Sequence, residues 1–183
     1  MMKSHTKIRL TIVVSLLAAS TMFMACNGQD EAKDKTSDDE AKISRDGVST
    51  EDMGKKPWVL DIEETTIENE NYRLANWTGE NIQLVLMSIK PGDEIPLEMH
   101  TDHDQFIRIE KGKAHVRMGK SKDKMDFDET VTGDWAILIP AGYWHHIVNT
   151  GDDNLKLYTI YGPVTHNKGT LHETAEEAEE HHH

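Results

Sequence analysis

Cysteine is nearly missing from this chain of 183 residues, where Cys26 stands alone. A single thiol excludes an intramolecular disulfide framework and any CxxC zinc ribbon. Positive charge is also short, with 20 Lys and Arg against 33 Asp and Glu and a formal net charge of −13. No basic stripe or interleaving of basic and aromatic residues occurs, so nucleic acid is not an expected partner. Amphipathic helical periodicity of useful length is missing before the C-terminal tail, and no internal repeat stands out. The length suits one domain rather than two. Stability must therefore come from an apolar core, which the later part of the chain can supply.

Long apolar runs are missing too, with one exception. Residues 10–25 are almost wholly apolar and follow Lys3, Lys7 and Arg9. A basic stretch before an apolar one reads as an export signal, and this run is short for a transmembrane helix. Its end, Phe23-Met24-Ala25-Cys26, resembles the lipobox of bacterial lipoproteins, although Phe23 stands where Leu is usual. That resemblance implies a signal peptide over residues 1–25 and lipidation of Cys26. It also implies a cell-envelope protein, lipid-anchored in the outer membrane of a Gram-negative bacterium. Acyl chains contribute about 0.8 kcal/mol per buried CH₂, so multiple chains anchor stably. A secreted protein with a stray thiol and an uncleaved anchor are the other readings of this segment.

Residues 26–56 read as an acidic tether, too polar to order itself. Within it, Asp30-Glu31 resembles the surface-export signal of some Bacteroidota lipoproteins. Residues 57–165 carry the globular texture. Residues 166–183 read as a polar tail outside the fold, with His166, His172 and the terminal His181, His182 and His183 assigned no chemistry.

The globular part predicts strands. Seven short runs, at 81–90, 95–100, 105–110, 114–118, 135–140, 145–149 and 155–161, are rich in β-branched or aromatic residues. Turn signals separate them, among them Pro91-Gly92, Lys111-Gly112, Gly133-Asp134 and Ala141-Gly142. Such spacing argues for an all-β sandwich or jelly-roll barrel, with alternate residues facing an interior that can hold a ligand. If the strands line one small barrel, Glu98, His100, Gln105 and His145 converge. Two imidazoles and two side-chain oxygens suit a divalent transition metal.

Both segments that supply these residues resemble the two motifs of the cupins, usually written G-x5-H-x-H-x3,4-E-x6-G and G-x5-P-x-G-x2-H-x3-N. The first is matched by Gly92, Glu98, His100, Gln105 and Gly112, and the second by Pro140, Gly142, His145 and Asn149. Glu98 departs from the usual first histidine, Gln105 from the usual glutamate, and Asp134 from the second motif's first glycine. The resemblance implies a single-domain cupin barrel with a metal held by Glu98, His100, Gln105 and His145. Phosphomannose-isomerase-type cupins likewise mix Gln, Glu and two His around zinc. Spacing does not divide zinc, iron, manganese and nickel. A metal-free pocket, with Glu98 and Gln105 hydrogen-bonding the imidazoles, stays open as the second reading.

Neighbouring residues carry plainer expectations. His103 falls in the turn between strands and is expected to face solvent, and His146 should point outward by alternation. Gly142 suits a tight turn, and Asn149 suits a hydrogen bond to the turn that follows it. Tyr143 and Trp144 read either as cover for the pocket mouth or as core, and Phe106, Ile109 and Met118 as core or wall. Arg108 and Arg117 face outward by alternation, which argues against phosphosugar chemistry. The expected function is a metal-binding envelope lipoprotein acting on a small polar or sugar-like compound, as an isomerase or oxygenase if it is an enzyme. The alternatives are a non-catalytic small-ligand-binding lipoprotein and a structural envelope protein. A homodimer is expected, with the strand over 82–89 as an available edge.

Overall fold

In the computed structural model, residues 48–180 are described. The expected signal peptide, Cys26, most of the tether and His181, His182 and His183 lie outside the described residues. The strand-like runs pair as β1 (Arg73–Thr78), β2 (Gln83–Ile89), β3 (Glu94–Met99), β4 (Gln105–Lys111), β5 (Lys113–Gly119), β6 (Phe127–Thr132), β7 (Ala136–Ile139), β8 (Trp144–Asn149), β9 (Leu155–Tyr161) and β10 (Leu171–His172). They form two sheets, ordered β10-β1-β2-β9-β4-β7 and β3-β8-β5-β6, with every pairing antiparallel. Inward residues of the larger sheet, such as Val85, Ile107 and Leu157, share one buried cluster with Ile95, Val116 and Ile147 of the smaller. This is the all-β jelly-roll expected, and all seven strands read from alternation form.

Three further strands carry weak sequence signals. The strand β1 reads RLANWT and buries Arg73 and Asn76, so its polarity hides its place inside the sheet. Five of the six residues of β6 are exposed, including Asp128 and Glu129, as suits the outer strand of the smaller sheet. Charge on such an edge discourages pairing with another chain. A seven-residue helix, α1 (Ile62–Glu68), was not expected either. Its Thr65 and Thr66 are poor helix formers. What starts it is Asp61, whose side chain accepts from the Glu64 N–H at 3.0 Å, with Glu63 and Glu64 favoured in the first turn. Ile62 covers an outer cluster of Leu74, Leu86 and Tyr158.

The strand expected as a free edge is not one. β2 lies between β1 and β9, with its backbone paired on both sides. The free edges of that sheet are β10 and β7.

The ordered domain is longer than expected at both ends. Asp52, in the supposed tether, is buried and accepts from the backbone N–H groups of Gly54 (2.9 Å), Thr78 (2.9 Å) and Gly169 (3.1 Å), and from the Thr78 hydroxyl. One carboxylate thus clips the N-terminal arm to β1 and to the segment after β9. Gln83 exchanges two hydrogen bonds with the His166 backbone, at 2.9 and 3.0 Å. Beyond it β10 pairs with β1, and a second helix, α2 (Ala175–Glu180), sets Ala178 into the core. A polar composition hid these contacts because they are hydrogen bonds and one small apolar side chain.

Asn149 behaves as expected. Its amide donates to the Ile89 and Asp153 carbonyls at 2.8 and 2.9 Å and accepts from the Gly151 N–H at 2.9 Å. Asn149→Ala leaves buried backbone groups unpaired and should cost about 2 kcal/mol in chemical denaturation.

Burial pushes the Asp52 carboxyl up, but the Thr78 hydroxyl and three backbone N–H groups outweigh it and hold the group below its ordinary 3.8. A depressed folded-state pKa makes the stabilisation complete above that value and loses it as pH falls toward the folded one. Melting temperature should therefore drop on acidification below about pH 4. Asp52→Asn should be less stable at pH 7 and show a shallower acid dependence.

Candidate metal centre

A bulge decides where Glu98 points. Ile95 pairs with Ile147 and Glu98 with His145, so β3 spends three residues where β8 spends two. Strict alternation would send Glu98 outward if Ile95 faces the core. The extra residue, beside Pro96 with its missing N–H, restores the inward direction. Glu98 and His145 then share one face, and His100 follows just past the end of β3.

The three side chains meet. Glu98 Oε1 lies 3.2 Å from His145 Nε2 and 3.5 Å from His100 Nε2. One ligand atom from each of the three lies within 4.8 Å of the others. His145 is fully buried, whereas the Glu98 and His100 side chains keep 25% and 17% exposure, so solvent reaches the cluster from their side. The other ring nitrogen of His145, Nδ1, faces the Tyr143 carbonyl at 3.3 Å, which orients Nε2 toward Glu98. Burial alone would raise the Glu98 pKa. The hydrogen bonds and charges of His100 and His145 outweigh it, so the carboxyl stays ionised far below the usual carboxylate range.

Gln105 opens β4, buried, in one inward row with Gln83, Tyr161 and Ile139. Its Nε2 donates to the Thr159 hydroxyl at 3.1 Å, while its buried Oε1 has no hydrogen-bond partner among the described residues. His100 Nε2 is likewise buried with nothing better than the long contact to Glu98. Unmatched buried acceptors and ring nitrogens beside a carboxylate are the donor chemistry that a divalent cation satisfies.

His103 departs from expectation. It sits in the turn between β3 and β4, but its side chain is only 7% exposed. The ring stacks on His100, with centroids 4.4 Å apart and planes 22° off parallel, and meets the Tyr161 edge at 6.1 Å. Its Nδ1 donates to Asp102 at 2.8 Å. Contact with two neighbouring rings, one stacked and one edge-on, outweighs hydration of an imidazole whose Nδ1 is already matched. His103 stands outside the three-residue cluster all the same. His146 points outward as expected, between Glu94 (2.8 Å) and Arg117 (3.2 Å).

Arg108 is held by Glu110 and Asp134, at 3.0 and 2.8 Å. Asp134 adopts φ 71°, the left-handed conformation that favours glycine and that Asp tolerates, so the motif's missing glycine leaves the turn intact.

Two interior residues escaped the sequence reading. Tyr161 lies edge-on to His100 at 6.0 Å, and burial together with the Glu98 charge pushes its phenol well above its usual range. It is therefore a neutral hydrogen-bond donor. Its inward parity with Leu155, Leu157 and Thr159 was the available signal. Arg73 shares the inward parity of Ala75, is buried, and lies 5.6 Å from the Tyr72 ring. It is an inward arginine that the outward Arg108 and Arg117 had obscured.

Residues 85–161 match the family described as Cupin domain. The crystal structure of BH2720 from Bacillus halodurans is similar, with TM-score 0.70 and 48% identity over 71% of this chain and 98% of that one. The chain belongs to the cupin family. This cupin is also 50% identical over 127 residues to the uncharacterized protein YrkC of Bacillus subtilis, spanning 69% of this chain and 68% of that protein. An uncharacterized protein of Acanthamoeba polyphaga mimivirus is 46% identical over 115 residues, or 62% and 70% of the two chains.

The turn before His145 ties the cupin site together. Gly142, at φ 75°, donates its N–H to the His100 carbonyl at 2.7 Å. Gly142→Ala forces a side chain into the left-handed region at a cost of about 1 kcal/mol. The melting temperature should fall by about 3 °C in thermal denaturation.

Proposed function

We propose that this cupin holds one divalent metal ion on Glu98, His100 and His145, with Gln105 as the fourth ligand, and presents it to a small polar molecule. The observation that carries this reading is the three-residue cluster inside the barrel, in which His100 Nε2 has no good partner, together with the unpartnered Oε1 of the buried, inward Gln105. A divalent ion there supplies a Lewis acid for a carbonyl or enediol oxygen. The chain's own residues do the rest. His145, locked by the Tyr143 carbonyl, keeps Nε2 aimed at the cluster. Tyr161 offers a neutral phenol beside His100. The surrounding apolar core limits water to the side where Glu98 and His100 are exposed.

The donor set of two His, one Glu and one Gln is the kind that phosphomannose-isomerase-type cupins use, and it favours a sugar-like compound. Buried Arg73 adds an inward cation on the same inner surface. A second reading has its own support: Glu98 Oε1 already sits within 3.5 Å of both imidazoles, which suits a metal-free binding pocket. Placement on the cell envelope through lipidated Cys26 is inferred from the lipobox resemblance alone. A homodimer would use β7 or β10, the free edges of the six-stranded sheet.

Elemental analysis of protein purified without a metal-affinity tag tests the centre. Near-stoichiometric metal is expected in the parent, almost none in His100→Ala or His145→Ala, and most of it in His103→Ala. A parent that stays empty after reconstitution would establish the metal-free reading. Radiolabelled palmitate should enter the parent and not Cys26→Ala, which should partition into the soluble fraction.

A further inference from the structure

The hairpin loop between β5 and β6 carries Lys120, Lys122 and Lys124 beside Asp123 and Asp126, a net positive loop in a chain of net charge −13. Register places it beside the candidate centre. Met118 pairs with His145 and Gly119 with Trp144, so Lys120 continues β5 just past the site and Tyr143 enters β8 just before it. The Lys120 ammonium lies 3.9 Å from the centroid of the Tyr143 ring, and the Lys122 ammonium 4.3 Å from a Trp144 ring centroid. Tyr143 is half-buried and packs against the inner core cluster, so its ring is a wall shared by the rim and the interior.

Neither lysine has a carboxylate partner among the described residues. Lys124 takes Asp126 at 3.6 Å, and Arg108 and Arg117 are occupied by Glu110, Asp134 and His146. Aromatic faces hold a cation in place without neutralising it. Two long side chains are thus seated on the two residues that lead into His145, Lys120 on the ring that packs against the inner core and Lys122 on the ring of the residue just before His145.

We propose that Lys120 and Lys122, seated on Tyr143 and Trp144, form a cationic rim that captures the anionic group of a small organic ligand whose other end enters the barrel. The ligand class is small molecules carrying a carboxylate or phosphate. The proposal rests on the reading of the Glu98–His100–His145 cluster only for the ligand's destination. The rim itself stands on the geometry of the lysines and rings. Lysine suits this role because its compact ammonium serves any anion without demanding a bidentate partner.

The test is calorimetric titration of the full chain with oxalate, with inorganic phosphate, and with neutral glycerol, before and after chelation. Trp144 indole shifts in nitrogen–proton NMR spectra report the place of binding. Oxalate, phosphate or both should bind and shift Trp144, while glycerol does not, and whichever anion binds identifies the source chemistry. Lys120→Gln/Lys122→Gln should bind about tenfold more weakly, as two exposed charge contacts predict, with unchanged melting temperature. That difference should shrink as salt is raised, and Lys120→Arg/Lys122→Arg should restore it. If the metal reading alone fails, the lysine-dependent difference persists in protein that holds no metal. Equal affinity of parent and double Gln variant, or no binding of either anion by the parent, would overturn the rim.

Discussion

A carboxylate turned into an apolar barrel has to find donors or positive charge there, and the interior around Glu98 is arranged to meet that demand. The bulge in β3 aims the side chain inward, His145 faces it across the ladder, and His100 closes on the same oxygen. His145 in turn leans on the Tyr143 carbonyl, and the His100 backbone on the Gly142 N–H. The turn between β7 and β8 thus supports both imidazoles, one through its side chain and one through its main chain. Rings outside the cluster follow the same logic: His103 stacks on His100, and Tyr161 sets its edge against both.

The segment after β9 packs against that end of the barrel. Gln83 binds the His166 backbone, and Thr165 reaches His103 at 3.4 Å, so the segment after β9 folds back toward the site. Asp52 fastens the same segment from the other side, through Gly169, while holding Thr78 of β1. A single buried carboxylate therefore joins the arm entering the domain, the sheet, and the strap beyond β9. The larger sheet needs this cover, because its β1 edge is met only by the two-residue strand β10.

Membership of the cupin family is compatible with the departures in this chain's motifs. Asp134 takes the left-handed turn that the motif's glycine would have taken, and its carboxylate gains Arg108. Moving the carboxylate to Glu98 and an amide to Gln105 keeps one negative charge in the donor set. The change is in where the charge sits: on the strand that leads into His100, rather than on the strand that begins with Gln105.

Period-two alternation bounded by turn residues was enough to determine seven strands, the all-β class, and the inward direction of His145 and Gln105, because each signal is local and repeated along one strand. The polar strand β1, the acidic edge β6 and the short β10 were illegible, since their stability comes from neighbours that alternation does not name. The motif spacing already placed Glu98 inward with His145, and tertiary structure supplied the cause, one extra residue in β3 that overrides parity with Ile95. Tertiary structure decided that His103 is buried against His100, and that Asp52 and residues 166–180 belong to the fold. Those outcomes depend on contacts between segments far apart in the chain, and composition carries no record of which polar group will find a partner.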